Sequence, residues 1–121
     1  MPEAVNNRCV KSHEYIFLFT KSKKYYFDAD AIRVRDVRKG SVWSFNTASL
    51  KEAHFAVFPE DLPALCIKAG SKEGDTVLDP FMGSGTTALI AQKLGRKWVG
   101  IELNPKYIEI IKRRTAQAEL F

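Results

Sequence analysis

Two carboxylates and a glycine-rich run are the residues of this chain best suited to chemistry. Asp79 ends the run Thr76-Val77-Leu78-Asp79, and Glu102 ends the run Trp98-Val99-Gly100-Ile101-Glu102. Between them lies Gly83-Ser84-Gly85-Thr86-Thr87-Ala88, and the two acids stand 23 positions apart. If the apolar runs are adjacent parallel strands joined by a crossover helix, both carboxylates lie at the carboxyl ends of the strands, where open α/β sheets bind ligands. Glycines there allow a close approach of backbone to ligand. The helix that follows offers unpaired N–H groups to an anion. A carboxylate at position 102 can accept hydrogen bonds from both hydroxyls of a ribose. The set suits a cofactor that contains adenosine.

Which cofactor is a separate question. Gly83 to Ala88 fits G-x-G-x-x-[G/A], the dinucleotide fingerprint, and a lone match of that kind is weak. A phosphate-binding P-loop is excluded, because no Lys follows the second Gly. A bland reading also exists, in which the glycines only make a tight turn from strand to helix.

The elements that must position these residues can be read from the pattern. Phe58-Pro59-Glu60-Asp61-Leu62-Pro63 predicts a helix start, with Pro and acids in the first turn. That helix runs through Leu65 and Ile67 and stops at Gly70. The strand Thr76–Asp79, a helix over 87–94 closed by Gly95, the strand 98–102 and a helix opened by Asn104-Pro105 follow. This last helix carries Tyr107, Ile108, Ile111 and Thr115 on one face. The order strand, helix, strand, helix predicts a parallel sheet with crossover helices. Earlier in the chain, the aromatic and β-branched run Tyr15–Thr20 predicts a buried strand. Tyr25–Phe27 reads as a second short strand or a packed loop. The stretch 28–51 reads as largely irregular, with one short strand near Ser41–Phe45.

The chain has 121 residues, room for one domain, and 45% are hydrophobic, which is enough for a modest core. Cys9 and Cys66 are too few for a disulfide framework or a four-ligand zinc site, and two free thiols suit a reducing compartment. The sequence contains no membrane-spanning run and no signal-peptide pattern, so a cytoplasmic location is expected. The net charge of +5 is unevenly placed. Residues 1–51 hold ten Lys and Arg against five Asp and Glu, whereas residues 52–121 hold nine of each. A localised basic region suits a phosphate-backbone partner, although a merely solvated surface has the same composition.

Asp79-Pro80-Phe81-Met82-Gly83-Ser84-Gly85-Thr86-Thr87 resembles the "DPFxGSGTT" motif of AdoMet-dependent DNA amino-methyltransferases, which make N6-methyladenine or N4-methylcytosine. Gly100-Ile101-Glu102-Leu103-Asn104-Pro105-Lys106-Tyr107 is similar to their second cofactor motif. His54-Phe55-Ala56-Val57-Phe58-Pro59-Glu60-Asp61-Leu62-Pro63 resembles the motif that precedes it in the permuted, β-type class. Arg8, Lys11 to Ile16 and Thr20-Lys21-Ser22 also look like that class. The three motifs come in the order of the class, and the resemblance covers nearly the whole chain.

The resemblance implies S-adenosyl-L-methionine as cofactor, with S-adenosyl-L-homocysteine as product. Asp79, Pro80, Phe81, Gly83, Ser84 and Gly85 would wrap its methionine part. Thr86 and Thr87 would cap the helix and bind the carboxylate. Glu102 would hold the ribose hydroxyls, with Leu103 or Asn104 near the adenine. His54, Phe55, Ala56 and Phe58 would form the far wall, although Phe55 and Phe58 suit a core equally well and His54 suits a structural hydrogen bond. Double-stranded DNA is the implied partner. Lys21, Lys23, Lys24, Arg33, Arg35 and Arg38 are the candidate phosphate contacts in a basic part, 1–51, beside an AdoMet-binding part, 52–121. No metal is implied.

The family's catalytic clamp, [D/N/S]-P-P-[Y/F/W], is not in this sequence, whose prolines at 2, 59, 63, 80 and 105 are never adjacent. No catalytic residue is therefore assigned. The chain is expected to be the C-terminal part of such an enzyme, inactive alone. Its fold would be a partial Rossmann-like α/β methyltransferase fold: a mixed sheet with crossover helices and several strands absent. The strand at Val77 would keep a free edge, covered by the missing N-terminal half, by self-association or by a rearranged Tyr15 strand. A non-catalytic DNA-binding or assembly subunit of a split methyltransferase is the alternative. A nicotinamide-dinucleotide domain is a third, opposed by Pro80 and by Asn104-Pro105.

Overall fold

The computed structural model describes residues 8–46, 48–49 and 56–118. The strands and helices run in the order β1 (Ala48–Ser49), β2 (Ala56–Val57), α1 (Asp61–Gly70), β3 (Thr76–Asp79), α2 (Thr86–Lys93), β4 (Lys97–Gly100) and α3 (Pro105–Ala118). The first two strands form a short antiparallel pair, with Ala48 opposite Val57. β3 and β4 are parallel, in the register Val77 opposite Trp98 and Leu78 opposite Val99, and α2 is the crossover between them.

α1 begins where expected. Asp61 sits in its first turn and Lys68 in its last, each matching the sign of the nearby helix dipole. Its end is tied down by the Ser71 amide and hydroxyl, which donate to the Ile67 carbonyl at 3.0 and 2.6 Å. The core lies on one face of the parallel pair. Val77 and Trp98 pack against Ile67, Ile90 and Ala91, and Trp98 also reaches a second cluster of Met82, Ala88 and Ile111. Because side chains alternate across a strand, Leu78 and Val99 face the other way. They remain 63% and 52% exposed. Among the described residues β3 and β4 pair only with each other, so both outer edges are open.

Some expectations need correcting. Tyr15–Thr20 has no ladder partner among the described residues and is exposed throughout. Its alternate rings nonetheless meet, Tyr15 with Phe17 and Phe17 with Phe19, tilted against one another with centroids 6.1 and 5.8 Å apart. An aromatic and β-branched run measures suitability for a sheet, but the ladder itself requires a partner strand. Tyr25–Phe27 is an exposed loop. Ser41–Phe45 is not a strand, and pairing begins only at Ala48. α2 begins at Thr86 and ends at Lys93, one residue ahead of prediction at each end, and β4 stops at Gly100, so Glu102 lies just beyond it.

The basic segment contains a tight hairpin turn. Val34 and Val37 exchange backbone hydrogen bonds at 3.0 Å in each direction around Arg35 and Asp36, whose φ angles are 50° and 63°. Positive φ at both central positions is the hairpin turn of type I′, which normally selects Asn or Gly. Arg33 braces it, with Nε donating to Asp30 Oδ1 at 2.7 Å and a terminal nitrogen to the Asp36 carbonyl at 3.1 Å. Asp28 ties this segment to α1 through its amide, which donates to the Ala69 carbonyl at 2.8 Å.

Candidate cofactor site

The turn from β3 to α2 is held by a carboxylate from each strand. Asp79 Oδ1 accepts from the Phe81 amide at 2.9 Å, and its Oδ2 accepts from Thr87 Oγ1 at 2.6 Å. Glu102 Oε2 accepts from the Gly83 amide at 2.8 Å, and its Oε1 from the Asn104 amide at 2.8 Å. Backbone bonds close the frame. The Ile101 amide donates to the Asp79 carbonyl, the Met82 amide to the Ile101 carbonyl and the Gly85 amide to the Met82 carbonyl, all at 3.0 Å. The two acids singled out by spacing thus meet across one turn. Each carboxylate oxygen has spent one acceptor position and keeps another.

The two glycines of the turn do different work. Gly85 is the N-cap of α2 at φ 85°, and a Cβ there would lie 2.8 Å from Ile111 Cγ1 on α3. Gly83, at φ 55°, has nothing but the Phe81 carbonyl, 4.0 Å away, near the place of its missing Cβ. The space over Gly83 is therefore open, while the space behind Gly85 is filled. Phe81 and Leu103 flank that opening and are 87% and 93% exposed. Asn104 lies beside them; its side chain accepts from the Lys106 amide at 3.0 Å and starts α3. Tyr107 is close enough to Glu102 for its phenol to be pushed up, first by desolvation and then by that negative charge.

The expectations for the hydroxyl residues change. Thr86 and Thr87 do not cap the helix, because Gly85 is the N-cap and makes no side-chain bond. The Thr87 hydroxyl instead donates to the Asp79 carboxylate, a charge-assisted bond. The side chains of Ser84 and Thr86 are buried behind the turn, where Arg114 donates to both hydroxyls at 3.2 and 3.3 Å. Those two hydroxyls are therefore engaged by α3. His54 and Phe55 lie outside the described residues; Ala56 is in β2 and Phe58 is partly exposed. The candidate phosphate contacts lie in the first segment, where Lys21, Lys23, Lys24, Arg35 and Arg38 are exposed and Arg33 is spent on its brace.

Two residues had no place in the sequence reading. Met82, the variable position of the motif, is a buried core residue. Arg114 was signalled only by its position, three residues after Ile111 and seven after Tyr107, a cation on the inner stripe of a helix.

The description "DNA methylase" of the N6/N4 family matches residues 1–113, and the chain belongs to that family. It is 48% identical over 119 residues to the type II methyltransferase M.Cfr9I of Citrobacter freundii, covering 94% of this chain and 40% of that protein. It is 47% identical to M.SmaI of Serratia marcescens, covering 93% and 41%. The chain thus spans about two fifths of the length of these relatives. Among solved structures, the cytosine-N4-specific PvuII DNA methyltransferase matches with a TM-score of 0.66 and 26% identity, covering 74% of this chain and 35% of that one. M1.HpyAVI in its complex with SAM matches with a TM-score of 0.61 and 28% identity, covering 76% and 44%. The partial α/β methyltransferase fold stands, and the nicotinamide reading is closed.

The glycine contrast is directly testable. Gly85→Ala combines left-handed strain with overlap on Ile111 and should cost about 2–4 kcal/mol. Gly83→Ala meets only the strain, about 1–2 kcal/mol. Chemical denaturation of the two variants checks the order, and equal losses would contradict the filled-and-open assignment.

Proposed function

We propose that this chain forms the AdoMet-binding segment of a type II DNA methyltransferase that modifies adenine N6 or cytosine N4. One observation carries the reading: a turn at the carboxyl ends of two parallel strands, open over Gly83 and braced by two carboxylates that each retain acceptor positions. These residues fit the cofactor. Glu102 has acceptors left for ribose hydroxyls, and Leu103 and Asn104 stand beside it for the adenine. Asp79, Pro80 and Phe81 line the path of the methionine part, with Gly83, Ser84 and Gly85 contributing backbone. The amides of Thr86 and Thr87, in the first turn of α2, suit its carboxylate. The sequence motif supports Phe58, Ala56, His54 and Phe55 as the far wall. When bound, AdoMet supplies an electrophilic methyl group on sulfonium.

The basic part, 1–51, is the DNA-facing half in this reading. Lys21, Lys23, Lys24, Arg35 and Arg38 offer charge to phosphates. Arg33 instead holds the turn that presents Arg35, which makes no ion pair among the described residues. A non-Gly residue held at positive φ on an exposed tip is a cost that a contact with a partner explains. The DNA methylase family and the bacterial sources of its relatives support a bacterial cytoplasm.

The open edges of β3 and β4 and the exposed face of Leu78 and Val99 favour a second polypeptide segment on this sheet. Burying each of those side chains contributes about 1.5–3 kcal/mol. The occupant proposed is the clamp-bearing part of a methyltransferase, in the same chain or another. Pairing of two copies of this chain is the competing arrangement, in which the chain is an assembly subunit.

Three outcomes are expected. Calorimetry should show Glu102→Ala weakening AdoMet binding about 10- to 100-fold, the worth of charge-assisted bonds to two hydroxyls. Unchanged affinity would displace the ribose site. With labelled AdoMet and duplex DNA, the chain alone should transfer no methyl group, and adding a polypeptide that carries the clamp should restore transfer. Incorporation by the chain alone would refute the assignment. Arg35→Gly should stabilise the fold by up to about 1 kcal/mol by relieving the left-handed strain. The same change should weaken duplex binding and lower its salt slope by about one ion; unaltered DNA affinity would remove Arg35 from the interface.

A further inference from the structure

α3 carries a cation that none of the cofactor motifs contains. One terminal nitrogen of Arg114 donates to the Ser84 carbonyl at 2.8 Å, to Ser84 Oγ at 3.2 Å and to Thr86 Oγ1 at 3.3 Å. The other lies 3.9 Å from Glu60 Oε1, just ahead of α1, and only 14% of the Arg114 side chain is exposed. Burial lowers the affinity of this guanidinium for its proton, partly offset by Glu60. A cation placed there at that cost is held by the oxygens around it. One turn earlier on the same helix, Ile111 fills the space behind Gly85.

The back of the turn is therefore clamped twice from α3, by shape at Gly85 and by charge at Ser84 and Thr86. With the hydroxyls and the Ser84 carbonyl drawn backward, and the Gly83 and Gly85 amides already taken by Glu102 and the Met82 carbonyl, the amides of Ser84, Thr86 and Thr87 are the ones left for a ligand. We propose that Arg114 is a positioning residue for the cofactor turn: it fixes Ser84–Thr86 in the conformation that presents those amides, and through Glu60 ties the turn to the segment that opens α1. The inference rests on the AdoMet reading only for the identity of the ligand. The preference for Arg over Lys follows from its planar fork, which can serve a carbonyl, two hydroxyls and a carboxylate at once. Lys93 lies 3.5 Å from Glu60 Oε2, so the carboxylate has a second partner and Arg114 is not needed merely to neutralise it.

The test uses the full chain with Arg114→Lys, Arg114→Met and Glu60→Gln, read by amide hydrogen exchange at Gly83–Thr87 without ligand, by AdoMet affinity and by thermal stability. Arg114→Lys keeps the charge and most of the packing, so its melting temperature should stay within a few degrees of the parent. Its Gly83–Thr87 amides should nevertheless exchange about tenfold faster, with AdoMet bound about tenfold more weakly. Arg114→Met should show the same two changes together with a lower melting temperature. Glu60→Gln should change affinity less than about twofold, as for a half-exposed ion pair. Unchanged exchange at Gly83–Thr87 in Arg114→Lys would overturn the proposal whatever the ligand. So would an affinity loss that merely follows melting temperature across the variants. Faster exchange in a chain whose parent binds no AdoMet would uphold the positioning role and refute the cofactor reading instead.

Discussion

Asp79 and Glu102 each satisfy two donors of the segments that leave their strands, and the geometry of the site depends on those four hydrogen bonds. An unpaired amide in a half-buried turn costs about 1–3 kcal/mol, so the turn has one well-satisfied arrangement. Parallel pairing sets the distance between the acids, because Asp79 lies opposite Gly100 and Glu102 follows two residues on. The Glu102 carboxylate then crosses to Gly83 while the Asp79 carboxylate reaches forward to Thr87. A glutamine at position 102 would set its NH2 group against one of two amide donors and open the turn, whereas the hydroxyl partner of Asp79 could turn to accept from an asparagine. The residues that would bind a ligand are thus the residues that shape the backbone around it.

That double duty explains which parts were legible in the sequence. Asp79, Gly83, Gly85 and Glu102 are dictated locally, by spacing, turn chemistry and strand pattern, and they stand where the motif implies. α1, β3, α2, β4 and α3 were readable for the same reason, to within one or two residues. The roles of Ser84, Thr86 and Thr87 were not readable, since a hydroxyl beside a helix start can cap it or turn backward. Arg114, thirty residues away, decides the case for Ser84. The Tyr15–Thr20 run shows the opposite limit. Its composition is strand-like and its alternate aromatic rings do meet, but its pairing depends on residues that no local pattern supplies.

Charge and architecture divide the chain in a consistent way. The neutral part carries the parallel pair, its crossover helix and the braced turn. The basic part carries exposed cations and a strained, Arg33-braced tip. The parallel pair leaves an open sheet face and, among the described residues, two open edges, the kind of surface that β-proteins normally cover. A methyltransferase segment that binds cofactor, with its catalytic clamp on another stretch of polypeptide, has a use for each of these surfaces.

The central claim is that the turn between Asp79 and Glu102 receives AdoMet. Titrating S-adenosyl-L-homocysteine into the isotope-labelled chain, with amide chemical shifts recorded by NMR, tests it residue by residue. The account predicts saturable shifts at Gly83–Thr87 and at Glu102–Asn104, none of which NAD reproduces. Shifts confined to other residues, or none at millimolar ligand with the chain folded, would contradict it.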